Sequence, residues 1–209
     1  NQRSLTLRSD IADADFNGKI NFSHLPDAIN KLMQNYLPSY AGDFKTEAVE
    51  KEPEIFEYTV RLKNTSLLSF LFVPKIHHES EILLSGNFNS TINSFVLNGT
   101  IPELFIDSIK VHNIGISAKS VAEEFHTQIT ASTVNITDSV YLKNLNITSQ
   151  MASDNLDYNI KWNNIGKIAN KADINGNAKF SPRAVEIRIL PSEIYIQNQQ
   201  WATSPDNKI

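Results

Sequence analysis

Residues 155–162 read NLDYNIKW, and every second side chain is large and apolar: Leu156, Tyr158, Ile160 and Trp162. Asn155, Asp157, Asn159 and Lys161 stand between them. Period-two alternation of this kind predicts a strand with one dry face and one wet face. From Ile55 onward the pattern recurs almost without pause, in FEYTVRL, SFLFV, ILLSGNF, SFVLNG, LFIDSIKV, FHTQITA, TVNIT, VYL, LNIT, ADINGNAKF, AVEIRIL and EIYIQ, separated by breaks rich in Asn, Ser, Gly or Pro. Strands at this spacing predict a meander, the pattern of a sandwich, barrel or solenoid. The apolar phase slips between Leu142 and Leu145, which predicts a turn or bulge near Lys143–Asn144.

The first quarter of the chain differs. Residues 4–22 predict a strand pair, with Leu5 and Leu7 before a turn at Asn17-Gly18 and Ile20 and Phe22 after it. One helix follows. Pro26 suits a first turn, Asp27 complements the positive helix end, and Pro38 stops the run. Ile29, Leu32, Met33, Tyr36 and Leu37 form its apolar stripe. The polar face of this helix carries only Lys31 as a cation, so packing on the sheet is expected rather than rest on a membrane surface. The charged stretch 41–54 predicts a loop. The expected fold is mainly β: short antiparallel strands forming a curled sheet with a groove, or a sandwich, with one amphipathic helix near residues 26–37. Residues 1–54 form the strand pair, helix and loop, residues 55–209 the β-rich meander, and the whole is expected to be one structural unit cut from a longer chain.

Composition narrows the function. The 209 residues include no cysteine and carry a formal net charge of -4, with pI about 5.7. Thiolate metal sites, disulfides and cysteine nucleophiles are excluded, and no basic patch favours nucleic acid. No apolar run reaches the roughly 18 residues of a membrane span.

The candidate chemistry is thin. Asp13, Asp15, Asn17 and Gly18 match the first half of a calcium loop, but position 12 is His24 instead of Glu, so a hairpin turn is expected there. His77 and His78, followed by Glu79, would point to opposite faces of a strand and share no ion easily. Glu123, Glu124 and His126 come with no nucleophile motif, and neither a P-loop nor G-x-S-x-G nor H-E-x-x-H occurs. Asn21, Asn64, Asn89, Asn98, Asn135 and Asn146 head N-x-S/T triplets, read as chance in a chain so rich in these residues. We expect neither an enzyme, nor a cofactor, nor a metal.

Three stretches carry a resemblance. They are ADADFNGKINFSHLPDAINKLMQNYLPSY, LLSFLFVPKIHHESEILLSGNFNSTINSFVLNGTIPEL and TVNITDSVYLKNLNITSQMASDNLDYNIKWNN. Together they resemble TamB-like members of the AsmA/TamB superfamily, translocation and assembly module proteins, especially those of Bacteroidetes. The resemblance implies an interior fragment of a large cell-envelope protein, held in the inner membrane by a helix absent here and stretched through the periplasm. It implies a long curled sheet, a β-taco with an apolar inside. It further implies a part in outer-membrane biogenesis, with an Omp85-type outer-membrane barrel as partner through regions absent here, and in phospholipid transport between the membranes. The family supplies no catalytic residues.

On that reading phospholipid acyl chains lie along the dry face. The expected lining is Ile129, Val134, Ile136, Val140, Leu142, Leu145, Ile147, Leu156, Tyr158, Ile160, Trp162, Ile174, Phe180, Val185, Ile187, Ile189, Ile194 and Ile196, with plain core packing the competing account of each. A closed β-sandwich that binds a surface protein or glycan is the alternative. Free strand edges also make an edge-to-edge dimer an expectation.

Overall fold

The structure is a computed structural model, and it describes residues 3–41, 53–63, 75–164, 166 and 168–203. The SFLFV strand and most of the charged loop expected over 41–54 lie outside these residues. Fourteen strands form one antiparallel sheet: β1 (Arg3–Arg8), β2 (Ala12–Lys19), β3 (Ile55–Leu62), β4 (Ile76–His77), β5 (Ile82–Asn89), β6 (Ser94–Ile106), β7 (Ile109–Val121), β8 (Glu124–Asn135), β9 (Tyr141–Ala152), β10 (Asn155–Asn164), β11 (Asn170–Ser181), β12 (Ala184–Ile189), β13 (Glu193–Ile196) and β14 (Gln199–Ala202). Nearly every strand pairs with its sequence neighbour. β4 pairs with the far half of β6, and β12 and β13 share β11. The sheet is open: β1 and β14 end the path and do not pair with each other, so no barrel closes. Among the described residues one sheet forms, not two facing ones.

Two helices interrupt the meander, α1 (Leu25–Tyr36) and the single turn α2 (Pro38–Ala41). Pro26 sits in the first turn of α1 with Asp27 behind it, as helix-start chemistry requires. Leu32 and Tyr36 are buried against Phe56 and Phe88, and the same cluster takes in Phe16 of β2, Phe95 of β6, Phe125 of β8 and Met151 of β9. A twelve-residue helix is about 18 Å long. The path from β2 to β9 through β3, β5, β6, β7 and β8 measures about 29 Å at about 4.8 Å per strand. The sheet therefore wraps around the helix instead of lying flat beneath it.

Two expectations are corrected. The hairpin turn is not at Asn17-Gly18; it is at Ser9–Ile11, where Ser9 Oγ both donates to the Ala12 carbonyl and accepts from the Ala12 N–H. Gly18 lies inside β2 with φ of 137°, because a Cβ there would sit 2.2 Å from the Ile55 carbonyl oxygen on the next strand. Several expected short strands are also halves of long ones. FHTQITA and TVNIT both belong to β8, VYL and LNIT to β9. LFIDSIKV is not one strand but the β6–β7 hairpin, which turns at Asp107 with φ of 56°.

The phase slip is a crease running across the sheet. Asn113 and Asn144 have φ of 50° and 54°, and in register they stand beside Pro102 and Ser132. Across this row the apolar spacing is three instead of two in each strand: Ile101 to Leu104, Val111 to Ile114, Ala131 to Val134, Leu142 to Leu145. The first six of those residues pack in one cluster with Leu145, so the inserted residue keeps the dry face on one side. Asn113 Nδ2 donates to Ser132 Oγ, and Asn144 Nδ2 donates to the Asn163 carbonyl.

Candidate functional site

In an antiparallel sheet, directly opposed residues share a face. Following the register from strand to strand traces unbroken rows. One runs Leu7, Ala14, Val60, Leu84, Gly99, Ile116, Ile129, Ile147, Ile160, Ile174, across ten strands. The next row runs Leu5, Phe16, Tyr58, Gly86, Leu97, Ala118, Thr127, Ser149, Tyr158, Gly176, Ile189. An aromatic row contains Phe56, Phe88 and Phe95, then Phe125, Met151, Leu156, Ala178 and Ile187. A fourth row ends with Trp162, Ala172, Ile194 and Trp201. None of these residues is charged.

This face is lined but not filled. Ala14, Ala131, Ala172 and Ala178 are buried by their lateral neighbours. The larger side chains of the isoleucine row are not: Ile116, Ile147, Ile160 and Ile174 are half-buried and Ile129 is 38% exposed. A facing layer would bury such mid-sheet positions completely. Helix α1 covers the aromatic row and packs on Phe16 and Tyr58 of the row beside it.

The expected lining residues fall on this face, with differences in setting. Ile129, Ile147, Ile160 and Ile174 share the isoleucine row. Leu156, Tyr158, Ile187 and Ile189 belong to the two rows nearer α1, where Phe180 and Val185 pair beyond them. Leu145, Trp162 and Ile194 lie toward the crease, and Val134 opposes Leu142 beyond it. Ile136 and Val140 stand outside the strands, in the β8–β9 connection, where the Ile136 N–H donates to the Val140 carbonyl. Ile196 ends β13 and is exposed.

On α1, Leu32, Tyr36 and the following Leu37 are buried and Met33 is half-buried. Ile29 is 44% exposed and does not join the packed stripe, which runs Leu25, Ala28, Leu32, Tyr36 instead. The expected lining also missed the first half of the sheet, from Leu5 to Ile116. The alternation in FEYTV and ILLSGNF carried that signal already.

Two tyrosines of this face lie across glycines on the neighbouring strand. A Cβ on Gly176 would sit 2.0 Å from Tyr158 Cζ, and one on Gly86 would sit 2.8 Å from Tyr58 Oη. Tyr58 donates its hydroxyl to the Val96 carbonyl at 3.1 Å, and burial pushes its pKa up.

The other face is polar and laced with cross-strand bonds. Asn159 Nδ2 donates to Asp173 and Asn175, and Lys161 pairs with Asp173. Asp13 and Asp15, the would-be calcium ligands, are strand residues on this face. Asp13 meets Lys63 at 2.7 Å, and Asp15 takes a two-pronged contact from Arg8 and a bond from Thr6. Hydrogen bonds from those partners lower both carboxyl pKa values. Asp173 is lowered likewise, first by Asn159.

His77 stacks on Phe105, while His78 Nδ1 lies 2.7 Å from the Ser80 carbonyl. His126 Nε2 lies 2.9 Å from Glu124. Among the described residues no cluster of three His, Asp or Glu side chains is arranged for a metal. A depression of about 470 Å3 over Gly115, edged by Ser85, Asn98, Ser117, Gln128 and Thr130, also lies on the polar side. What the chain offers as a site is therefore the apolar face itself. Compared with known proteins, the chain matches no family model, no curated protein and no solved structure.

Proposed function

We propose that the apolar face is a track for lipid acyl chains in a bacterial cell-envelope protein of the periplasm. It serves phospholipid transport between inner and outer membranes or the assembly of outer-membrane proteins. The observation that carries the reading is the isoleucine row: ten strands wide, free of charge, and, among the described residues, uncovered in its middle. An exposed apolar strip of this length is unusual on a soluble protein and marks contact with something apolar. Each methylene moved from water into such a surface gains about 0.8 kcal/mol, so a chain is held without any head-group site. The head group stays in water and the lipid moves over the face from row to row. The resemblance of three stretches to TamB-like proteins supports the same reading, and with it the inner-membrane tether and the barrel partner.

The test uses the protein purified without detergent. Mass spectrometry of an organic extract is expected to find phospholipid, and to lose it in an Ile160→Asp, Ile187→Asp variant that keeps its far-ultraviolet circular dichroism. Trp162 and Trp201, the chain's two tryptophans, both line the face. Brominated acyl chains are expected to quench their fluorescence. Extracts without lipid, together with unquenched tryptophans, would overturn the reading.

A further inference from the structure

We infer that α1 is a stop latched over one end of the groove, and that Asp154 is the latch. The inference rests on the acyl-chain reading above.

Asp154 occupies the tip of the two-residue turn between β9 and β10, where Ser153 and Asp154 have φ of 47° and 64°. Four hydrogen bonds converge on it. Its carboxylate accepts from the Ser39 N–H at 2.9 Å and from Ser39 Oγ at 2.7 Å. Its own N–H donates to the Tyr36 carbonyl at 2.9 Å, and its carbonyl accepts from the Phe180 N–H at 2.8 Å. One residue thus ties the last turn of α1, through the Tyr36 carbonyl, and the single turn α2 that continues it, through Ser39, to β11 by a turn more than a hundred residues further along the chain.

The consequence follows from where α1 lies. It covers the aromatic row, at the end where β2, β5, β7 and β9 finish. Tyr36, 1% exposed and 5.4 Å from the Phe125 ring, fills the space a chain would enter after crossing from the isoleucine row over the row of Tyr158. Among the described residues, the rows at the crease end have no such cover. With the latch shut, the groove is open at the Trp162 end and closed at the Tyr36 end. Passage past α1 requires the helix to lift.

The two side-chain bonds to Ser39 can be removed without touching the turn. Asp154→Gly keeps the backbone bonds and suits a positive φ. Ser39→Ala, a milder change, deletes only the hydroxyl bond. The readouts are amide hydrogen exchange and the rate at which vesicles of phosphatidylethanolamine and phosphatidylglycerol containing brominated acyl chains quench a tryptophan placed under α1 by Phe95→Trp in a Trp162→Phe, Trp201→Phe background, with the wild-type tryptophans reporting acyl-chain entry itself.

In Asp154→Gly, α1 amides are expected to exchange roughly 5- to 30-fold faster, the factor for losing one or two kcal/mol of local stability. Amides of β8 and β9 are expected to stay unchanged, and quenching to set in faster. Ser39→Ala is expected to move both readouts the same way by less. Unchanged α1 exchange would overturn the latch. Faster exchange with unchanged quenching would overturn the stop. If the wild-type chain is not quenched at all, the acyl-chain reading falls and the stop with it, while the exchange arm still decides whether Asp154 fastens the helix.

Discussion

Replacing Gly176 with alanine places a methyl group inside the Tyr158 ring. The Cβ would stand 2.0 Å from Cζ, 2.2 Å from Oη and 2.5 Å from Cε2, all far below contact distance. The ring is the movable partner, so it swings away and the backbone stays. A fully covered aromatic side chain buries roughly 150–250 Å2. Tyr158 is half-buried, and uncovering about half of such an area at about 25 cal/mol per Å2 costs about 2–3 kcal/mol. Urea unfolding followed by Trp162, which lies on the same strand, measures this directly. Gly99→Ala is the control. Its nearest obstacles are the end of the Leu84 side chain at 3.0 Å and Ile116 Cβ at 3.3 Å, so its cost should stay below about 1 kcal/mol. The coupling is also fixed: once Tyr158 is alanine, Gly176→Ala should be neutral or slightly stabilising, since alanine loses less backbone entropy than glycine. A Gly176→Ala protein within about 0.5 kcal/mol of wild type, or one whose cost persists without Tyr158, refutes the reasoning.

The hydrogen bonds from Lys63 and Arg8 hold the Asp13 and Asp15 carboxyls below the ordinary aspartate value of 3.8, so the stability they contribute is present above that value and lost as pH falls through the lower folded values. Hydrogen exchange should therefore loosen β1 before the sheet centre on acidification, and an Asp15→Asn variant should flatten this dependence. Tyr58 is raised above 10.0 by burial, so its contribution is complete below pH 10 and is lost as pH climbs through the folded value. Alkaline unfolding should begin later in Tyr58→Phe, which has nothing to ionise there. Asn144→Val should cost about 2–3 kcal/mol, combining a left-handed backbone of about 1–2 with a lost hydrogen bond of about 0.5–1.5, whereas Asn144→Gly should cost under about 1; equal effects in thermal melts would count against the crease. The outer edge of β1 has no strand partner among the described residues. Sedimentation should show reversible self-association that rises with concentration, and a strict monomer at high concentration would refute edge pairing.

Much of this architecture was legible because its cause is local. Alternation in NLDYNIKW or KADINGNAKF is what a strand with one dry face needs, and β10 and β11 follow it residue by residue. The slip between Leu142 and Leu145 marked the crease at Asn144 for the same reason, although the register across it stays one to one and neither the expected turn nor a bulge forms there. The readings that failed share a different cause. Gly18 looked like a turn glycine, but what demands it is the Ile55 carbonyl on a strand more than thirty residues away. FHTQITA and TVNIT looked like two strands because one extra residue in β8 resembles a break until its neighbours show the same insertion in register. Ile29 sits at helical spacing with Leu32 and Tyr36, yet the sheet meets the helix along Leu25 and Ala28. The hold of Asp154 on Ser39 leaves no periodic trace at all, since a turn aspartate reads as a turn aspartate whatever it reaches.

A single-layered sheet raises a problem that its own sequence answers only in part. Twelve helical residues cannot cover a face a dozen strands wide, so most of the apolar rows must meet water, bend inward or meet something else. Bending is visible in the way β2 to β9 wrap α1, and small residues sink between large ones, which is why alanines are buried where isoleucines are not. Neither device reaches the middle of the isoleucine row. Burying what remains exposed on Ile129, Ile147, Ile160 and Ile174 is worth about 25 cal/mol for each Å2 covered, and that gain goes to whatever occupies the face. A second sheet would take it permanently and bring polar backbone edges needing partners. A flexible hydrocarbon chain takes it reversibly, offers no unsatisfied polar group, and can move to the next row at little net cost because the next row is uncharged as well. That absence of charge, maintained through ten strands and kept across the crease from β6 to β9, is a property the proposed passive track requires and an ordinary core does not.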